Sequence, residues 1–496
     1  MSLASKAVRG AIWTISAGIG ARAIGLVGTL VITRFVAPDA YGQVMVASVL
    51  VLTAQQFSTL GLSQYLIASP DCGRRIGFHA TAYHLLTGVV AFVVLGLVGS
   101  WAGRLLGAPE IGGYMPGLIA AAVVDRVAHT PERILVRDLR FAPISGARTA
   151  GDVAYSALSV SLAATGMGAM AIVWGNLARS IARAVLLIWK TDLRDWFSPC
   201  KLTLAETKTL FAFGLPVSIA SISNFASRRW DNLLVSSFFG PGPAGMYNLA
   251  YNLADVPAIQ LGEQIGDVLF PSFARLDPER RKQALVRALT LLGLVVFPLA
   301  VGLGAVAHTL VAVLFDERWR LVGPMLMILS IMSVTRPVSW TLASYLKAIR
   351  LPRPVMWIEI LAVAALLGSV FTIGRLGPLW TCTAVGLAFI AQVLVQFGYV
   401  AKREQIPLRT MLLSVWGPLS ACAIMAGCVF VARYSLDTPS WSSKLLALSV
   451  EVGVGASSYL VAVAVVAQGP ARELIQRVRD ALRRRVSLPS GAPAPQ

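Results

Sequence analysis

Residues 35–42 read Phe35-Val36-Ala37-Pro38-Asp39-Ala40-Tyr41-Gly42, and residues 238–245 read Phe238-Phe239-Gly240-Pro241-Gly242-Pro243-Ala244-Gly245. Pro38 aligns with Pro241, and Gly42 with Gly245. Each copy closes a long apolar segment, 13–36 or 211–239, and opens the next after a very short turn. Six apolar segments precede the second copy, so both copies enter the membrane in the same direction. That parity predicts two pseudo-symmetric six-helix lobes, related by an axis along the membrane normal, around a central cavity.

The apolar segments extend this pattern into an all-α integral membrane protein of about 14 transmembrane helices. They run 13–36, 44–68, 80–101, 113–133, 149–168, 169–189, 211–239, 244–268, 288–314, 321–346, 355–373, 378–400, 411–431 and 442–467. The fourth is the weakest, because Asp125, Arg126 and His129 interrupt it. The fifth and sixth form a tight hairpin across Thr165-Gly166-Met167-Gly168. The domain expectation is an N-terminal lobe over 1–190, a cytoplasmic linker over 191–210, a second lobe over 211–400, two extra helices over 401–467 and a basic tail over 468–496. Arginines at helical spacing in that tail suit a helix lying on anionic lipid, and a Pro/Ser/Gly-rich end is expected to be disordered.

Composition agrees. The chain is 56% hydrophobic and 14% charged, against about 25% charged in soluble domains. Its net charge of +19 is punctuation between apolar segments, with no nucleic-acid motif. With the N-terminus inside, the outer connections hold only Arg104, Arg318, Arg320, Arg375, Arg433 and Lys444, while most other cations fall in cytoplasmic pieces. The positive-inside rule then places both termini in the cytoplasm. An apolar run continuing to Val36 makes the start a first span rather than a cleaved signal peptide. Scattered cysteines and histidines give no metal spacing, and no GxSxG, HExxH or phosphate-cradling motif is present.

Two segments carry polar faces that a lipid-facing helix would not. Ser218, Ser221, Asn224, Arg228, Asp231, Asn232 and Ser236 recur every three or four residues, a stripe about 27 Å long. Thr14, Gly18, Arg22, Gly25, Thr29 and Thr33 make a comparable face on the first span. A cation in hydrocarbon is costly and usually faces a wet interior, and the arginine fork suits phosphate oxygens. Arg22, Arg228 and Arg229 are therefore the expected anion-binding groups, with Asn224, Asp231 and Asn232 contacting sugars or fixing the arginines. Asp125 with Arg126 suggests an ion-pair site between helices. Asp125, and Asp255 with Glu263 two turns away on its span, are candidates for a coupling H+ or Na+. Arg34, Arg179 and Arg183 are expected to snorkel or sit near an interface.

Several stretches resemble the Wzx-type polysaccharide-transporter flippases of the multidrug/oligosaccharidyl-lipid/polysaccharide exporter superfamily. They are Glu132-Arg-Ile-Leu-Val-Arg-Asp-Leu-Arg-Phe141, Gly214-Leu215-Pro216, Asp231-Asn232-Leu233-Leu234, Gly245-Met-Tyr-Asn-Leu-Ala-Tyr251 and Phe270-Pro-Ser-Phe-Ala-Arg275. The resemblance covers most of residues 1–400. It implies a non-enzymatic transporter in the bacterial inner membrane. Its substrate would be an undecaprenyl-pyrophosphate-linked oligosaccharide for exopolysaccharide, capsule or O-antigen, with membrane lipids, a polymerase and export machinery as partners. Two relatives compete. Lipid II flippases carry cavity arginines on spans one, two and eight, of which only Arg22 is present here. Multidrug extruders have an acidic, cation-binding cavity. A membrane polymerase would need a catalytic outer loop that this chain lacks.

Overall fold

The computed structural model describes residues 25, 28–60, 74–138, 140–201, 203–257, 269, 273, 275–435 and 441–466. Arg22, Glu263 and the expected tail lie outside these residues. After a helical stretch over 28–35, the helices are α1 (Pro38–Thr59), α2 (Arg74–Leu105), α3 (Ile111–Arg137), α4 (Phe141–Ala164), α5 (Met170–Trp189), α6 (Leu204–Phe239), α7 (Pro241–Pro257), α8 (Pro278–Ala305), α9 (Ala307–Leu314), α10 (Val322–Met332), α11 (Thr335–Ala348), α12 (Pro352–Thr372), α13 (Pro378–Glu404), α14 (Leu408–Ser435) and α15 (Trp441–Val466). Among the described residues, nine helices are long and apolar enough to cross a membrane, with α10 and α11 counted together. The chain is thus an all-helical, multi-pass membrane protein.

Local chemistry sets the helix ends. Pro38 starts α1 after an extended Ala37, with Asp39 in the first turn, which suits the positive helix N-terminus. Gly240, at φ +81°, ends α6, and Pro241 starts α7 at once. The predicted hairpin is present: Gly166 and Gly168 take positive φ between α4 and α5, a turn that a side chain would strain. The α4–α5 pair is the most extensive helix contact. Small residues allow it, since a Cβ at Gly175 would meet Ser159 at 2.8 Å. Two predicted spans prove interrupted. The ninth breaks at Val306, and the tenth at Ser333 and Val334, where Ser333 hydrogen-bonds back to the carbonyls of Leu329 and Ser330.

The helices form two compact units, each drawing on distant parts of the chain. One comprises residues 1–249, 314–322 and 359–384, and the other 250–313, 323–358 and 385–496. The core of the second gathers Phe273, Leu285, Leu289, Phe297, Tyr345, Phe397 and Met411. Many large apolar side chains point outward instead, among them Leu97, Trp189, Leu361 and Val431, as a helix surface in hydrocarbon requires.

Within the first unit the repeated octapeptides meet. A Cβ on Gly42 would run into the Pro241 carbonyl, and a Cβ on Gly245 would lie 2.8 Å from the Pro38 carbonyl. Each copy presents its glycine to the proline of the other. Such a contact is isologous, the form that a local two-fold relation produces.

Candidate functional site

The polar stripe of α6 divides by environment. Ser221 and Asn224 are exposed, and Arg228 and Arg229 are half-buried. Asp231, Asn232 and Ser236 are fully buried. The Tyr247 hydroxyl donates to one Asp231 carboxylate oxygen at 2.6 Å. The other oxygen accepts from the Asn232 backbone N–H and side-chain amide, each at 2.9 Å. Asn232 in turn accepts from Asn248 at 3.0 Å, and Ser236 donates to the Leu106 carbonyl at 2.7 Å. The buried end of the stripe therefore clamps α6 against α7 and the end of α2. Its other end, from Ser221 to Arg229, runs from exposed to half-buried. Replacing Tyr247 with Phe should cost about 1–3 kcal/mol, because a buried carboxylate loses a donor. An unchanged thermal midpoint in detergent would show that this bond is energetically idle.

Other contacts of this stripe were not legible in the chain. Trp230 donates to Thr53 at 3.3 Å and stacks on Phe57, tying α6 to α1. Thr33, read as part of a polar face, offers its backbone carbonyl to Trp319 at 3.1 Å. Trp319 meets Tyr41 edge-on, and Arg34 pairs with Asp316 at 2.8 Å. Arg34 thus holds a loop over residues 316–320 that lies far away in sequence.

The expected Asp125–Arg126 pair is corrected by the structure. Neighbours on a helix diverge by about 100°. Asp125 faces α5, where it accepts from Ser180 at 3.0 Å and has Arg183 at 3.9 Å. Arg126 points the other way and is buried. It donates to the carbonyls of Gln55, Ser58 and His84 and to the Ser58 hydroxyl. Gly88 makes room for it, and Phe92 lies under its guanidinium. Among the described residues no carboxylate pairs with Arg126. Arg183 and Arg179 do not snorkel but join a network between α3, α4 and α5. Glu132 binds Arg183 and also Arg148, at 3.0 Å from the latter. Arg179 pairs with Asp152 at 3.1 Å. These internal partners satisfy Asp125 and Glu132, two of the charges that α3 carries.

In the second unit Asp255 pairs with Arg336, which also donates to the Tyr251 hydroxyl. The guanidinium lies between the rings of Tyr251 and Phe389, 4.8 and 4.5 Å from their centroids. Met332, Ser333, Val385 and Gly386 complete a small recess beside it. Ser333, at the break between α10 and α11, lines this recess together with Arg336 and Asp255. A second ion pair, Arg433 with the buried Glu451, receives Thr309 at 2.7 Å and locks α14 to α15. Asp255 stood out in the sequence as an acid inside a span, but nothing there chose its arginine.

Long apolar helices with internally paired charges define a multi-pass membrane protein, and its relatives are named as transporters. The family profile described as "Polysaccharide biosynthesis protein" matches residues 31–324, more than half of the chain. The chain belongs to that family, as its Wzx-type motifs led one to expect. It is 28% identical over 354 residues to the lipopolysaccharide biosynthesis protein WzxC of Escherichia coli (strain K12), covering 70% of this chain and 71% of that one. It is 24% identical to the succinoglycan biosynthesis transport protein ExoT of Rhizobium meliloti (strain 1021), covering 97% and 96% of the two chains. The fold is similar to that of the lipid II flippase MurJ, whose structure was determined in an inward closed conformation, with TM-score 0.75 over 94% of this chain and 100% of that one, at 14% identity. An inward-facing multidrug resistance transporter of the MATE family follows with TM-score 0.63, 16% identity and coverage of 78% and 95%.

Proposed function

We propose that this protein turns an undecaprenyl-pyrophosphate-linked oligosaccharide from the cytoplasmic to the outer leaflet of a bacterial inner membrane by alternating access. The glycan would serve exopolysaccharide, capsule or O-antigen assembly, upstream of a polymerase and its export machinery. The observation that carries this reading is the accessible cationic end of the α6 stripe, on a long membrane helix of a polysaccharide biosynthesis protein. Two parallel six-helix lobes fit the reciprocal packing of the two octapeptides, and the distribution of Lys and Arg supports cytoplasmic termini. In this scheme Arg228, Arg229 and Arg22 hold the pyrophosphate, and Asn224 meets the sugars. Asp231 and Asn232 act from within the α6–α7 contact, holding the helix that carries the arginines. Asp255 and Asp125 are the carboxylates for a coupling H+ or Na+.

Arg228→Ala is expected to lower surface polysaccharide at least tenfold, since an arginine–phosphate contact away from water is worth about 1.5–3 kcal/mol. The protein should still reach the membrane at normal levels. Undiminished polysaccharide would remove Arg228 from the mechanism. Lipid II is the second reading, favoured by the MurJ-like fold. Rescue of cells depleted of their lipid II flippase would support it over the first.

A further inference from the structure

Arg336 and Asp255 lie beside an interruption in the helices of the second unit. α10 stops at Met332 and α11 starts at Thr335. Helices broken inside a membrane are common sites for Na+, because carbonyls freed by the break can coordinate it. Here those carbonyls already have donors. The Leu329 carbonyl accepts the Ser333 N–H at 2.9 Å, and the Ser333 carbonyl accepts the Arg336 N–H at 3.1 Å. The Ser330 carbonyl accepts the Ser333 hydroxyl at 2.7 Å, and the Met332 carbonyl accepts the Thr335 hydroxyl at 2.8 Å. The break satisfies its carbonyls with its own donors.

The recess adds few other ligands. α7 lines it with Asp255 and Tyr251 and α11 with Arg336, while α10 and α13 line it with uncharged side chains. It has room for about one water molecule. Asp255 Oδ1 is held by the Arg336 guanidinium, and the Tyr251 hydroxyl accepts from the same group. The rings of Tyr251 and Phe389 keep that guanidinium in place. A hard cation is held by several oxygens, and these two already serve a permanent positive charge. A second cation about 4 Å from that charge, at an effective dielectric of about 20, would lose roughly a thousandfold in affinity to repulsion. A proton needs neither room nor a shell of ligands.

We propose, on the reading of Asp255 as a coupling carboxylate, that Arg336 is the residue that selects the ion. Its guanidinium occupies the cation position beside Asp255, bars Na+ from the recess, and leaves H+ as the ion that Asp255 can take. The selectivity comes from the charge of residue 336, not from its size.

The test uses the full-length protein in detergent. Binding of radioactive sodium is measured at neutral and alkaline pH, together with the melting temperature in NaCl against KCl at equal ionic strength. The parent should show no saturable sodium binding that depends on Asp255, and the same melting temperature in both salts. Arg336→Met should bind sodium at least about tenfold more tightly than the parent, a fraction of the full repulsion because water screens part of it. It should also melt higher in NaCl, since a ligand of the folded state stabilises it. Asp255→Asn/Arg336→Met should lose both effects. Arg336→Lys, which keeps the charge, should behave as the parent does. If Arg336→Met does not fold, Arg336→Gln replaces it with the same expectations. Saturable sodium binding to the parent that Asp255→Asn abolishes would overturn the proposal. So would an Arg336→Met protein that folds and remains indifferent to sodium, or an Arg336→Lys protein that binds it. Transport is read separately. Export by Asp255→Asn that still follows the ion gradient would remove Asp255 from coupling, whereas the sodium measurements would still report what Arg336 excludes.

Discussion

Asp255→Ala should destabilise the protein by about 3–5 kcal/mol, the cost of leaving a buried cation without its counter-charge. Arg336 is 8% exposed and Asp255 12% by side chain, so water cannot replace the lost carboxylate. The Tyr251 hydroxyl and the rings of Tyr251 and Phe389 remain. Cation–π contacts are worth about 0.5–2 kcal/mol each, which softens the loss without cancelling it. The double variant Asp255→Ala/Arg336→Met should recover most of the stability, because a buried ion pair exchanged for apolar groups is often neutral. Thermal unfolding of the single and double variants measures this coupling. If the single change costs under about 1 kcal/mol, the guanidinium finds water or another partner and the site is not closed. Asp255→Asn then separates stability from transport. It keeps the side-chain shape but removes the charge, and an export rate that no longer responds to the ion gradient would mark Asp255 as the coupling group.

Gly42→Ala should be the most damaging single-methyl substitution among the glycines described. The added carbon would collide with the Pro241 carbonyl, and backbone cannot rotate aside as a side chain can. Overpacking of this kind typically costs about 1–3 kcal/mol. Here it also forces apart α1 and α7, whose starts touch through the same few atoms. Gly245→Ala, with Pro38 and Gly42 against its Cβ, should follow in the same direction and to a similar extent. Gly427→Ala, where no atom lies within 4 Å, is the control. It should be neutral or slightly stabilising, since alanine favours the helix by about 1 kcal/mol. Parental melting of Gly42→Ala would mean that the octapeptides do not meet as described.

Different parts of the site were legible to different degrees. The stripe of α6 followed from spacing alone, because periodicity of 3.6 residues is a property of the helix itself. Which members of the stripe are reachable did not follow. Asn224 and Asp231 have similar polarity and lie on the same face, yet one is exposed and the other lies under Tyr247. That difference is made by α7, an element that the spacing of α6 cannot describe. Asp125 and Arg126 failed in a related way. Adjacency in sequence suggested a pair, while the helix turned them toward different neighbours, Ser180 on one side and Ser58 on the other. Arg34 and Arg179 looked like interfacial cations, since no sequence pattern reveals a carboxylate supplied by a distant segment.

By itself the sequence determined that this chain is a helical membrane protein, roughly where many of its apolar helices lie, and that it repeats one short motif. Those properties follow from local apolar length, proline and glycine, and they survive any arrangement of the helices. Only the tertiary structure decided that the two motif copies clasp each other and that Arg336 belongs to Asp255. Charge pairing in a low-dielectric interior is a matter of a few ångströms between residues tens of positions apart, and hydropathy carries no record of that distance.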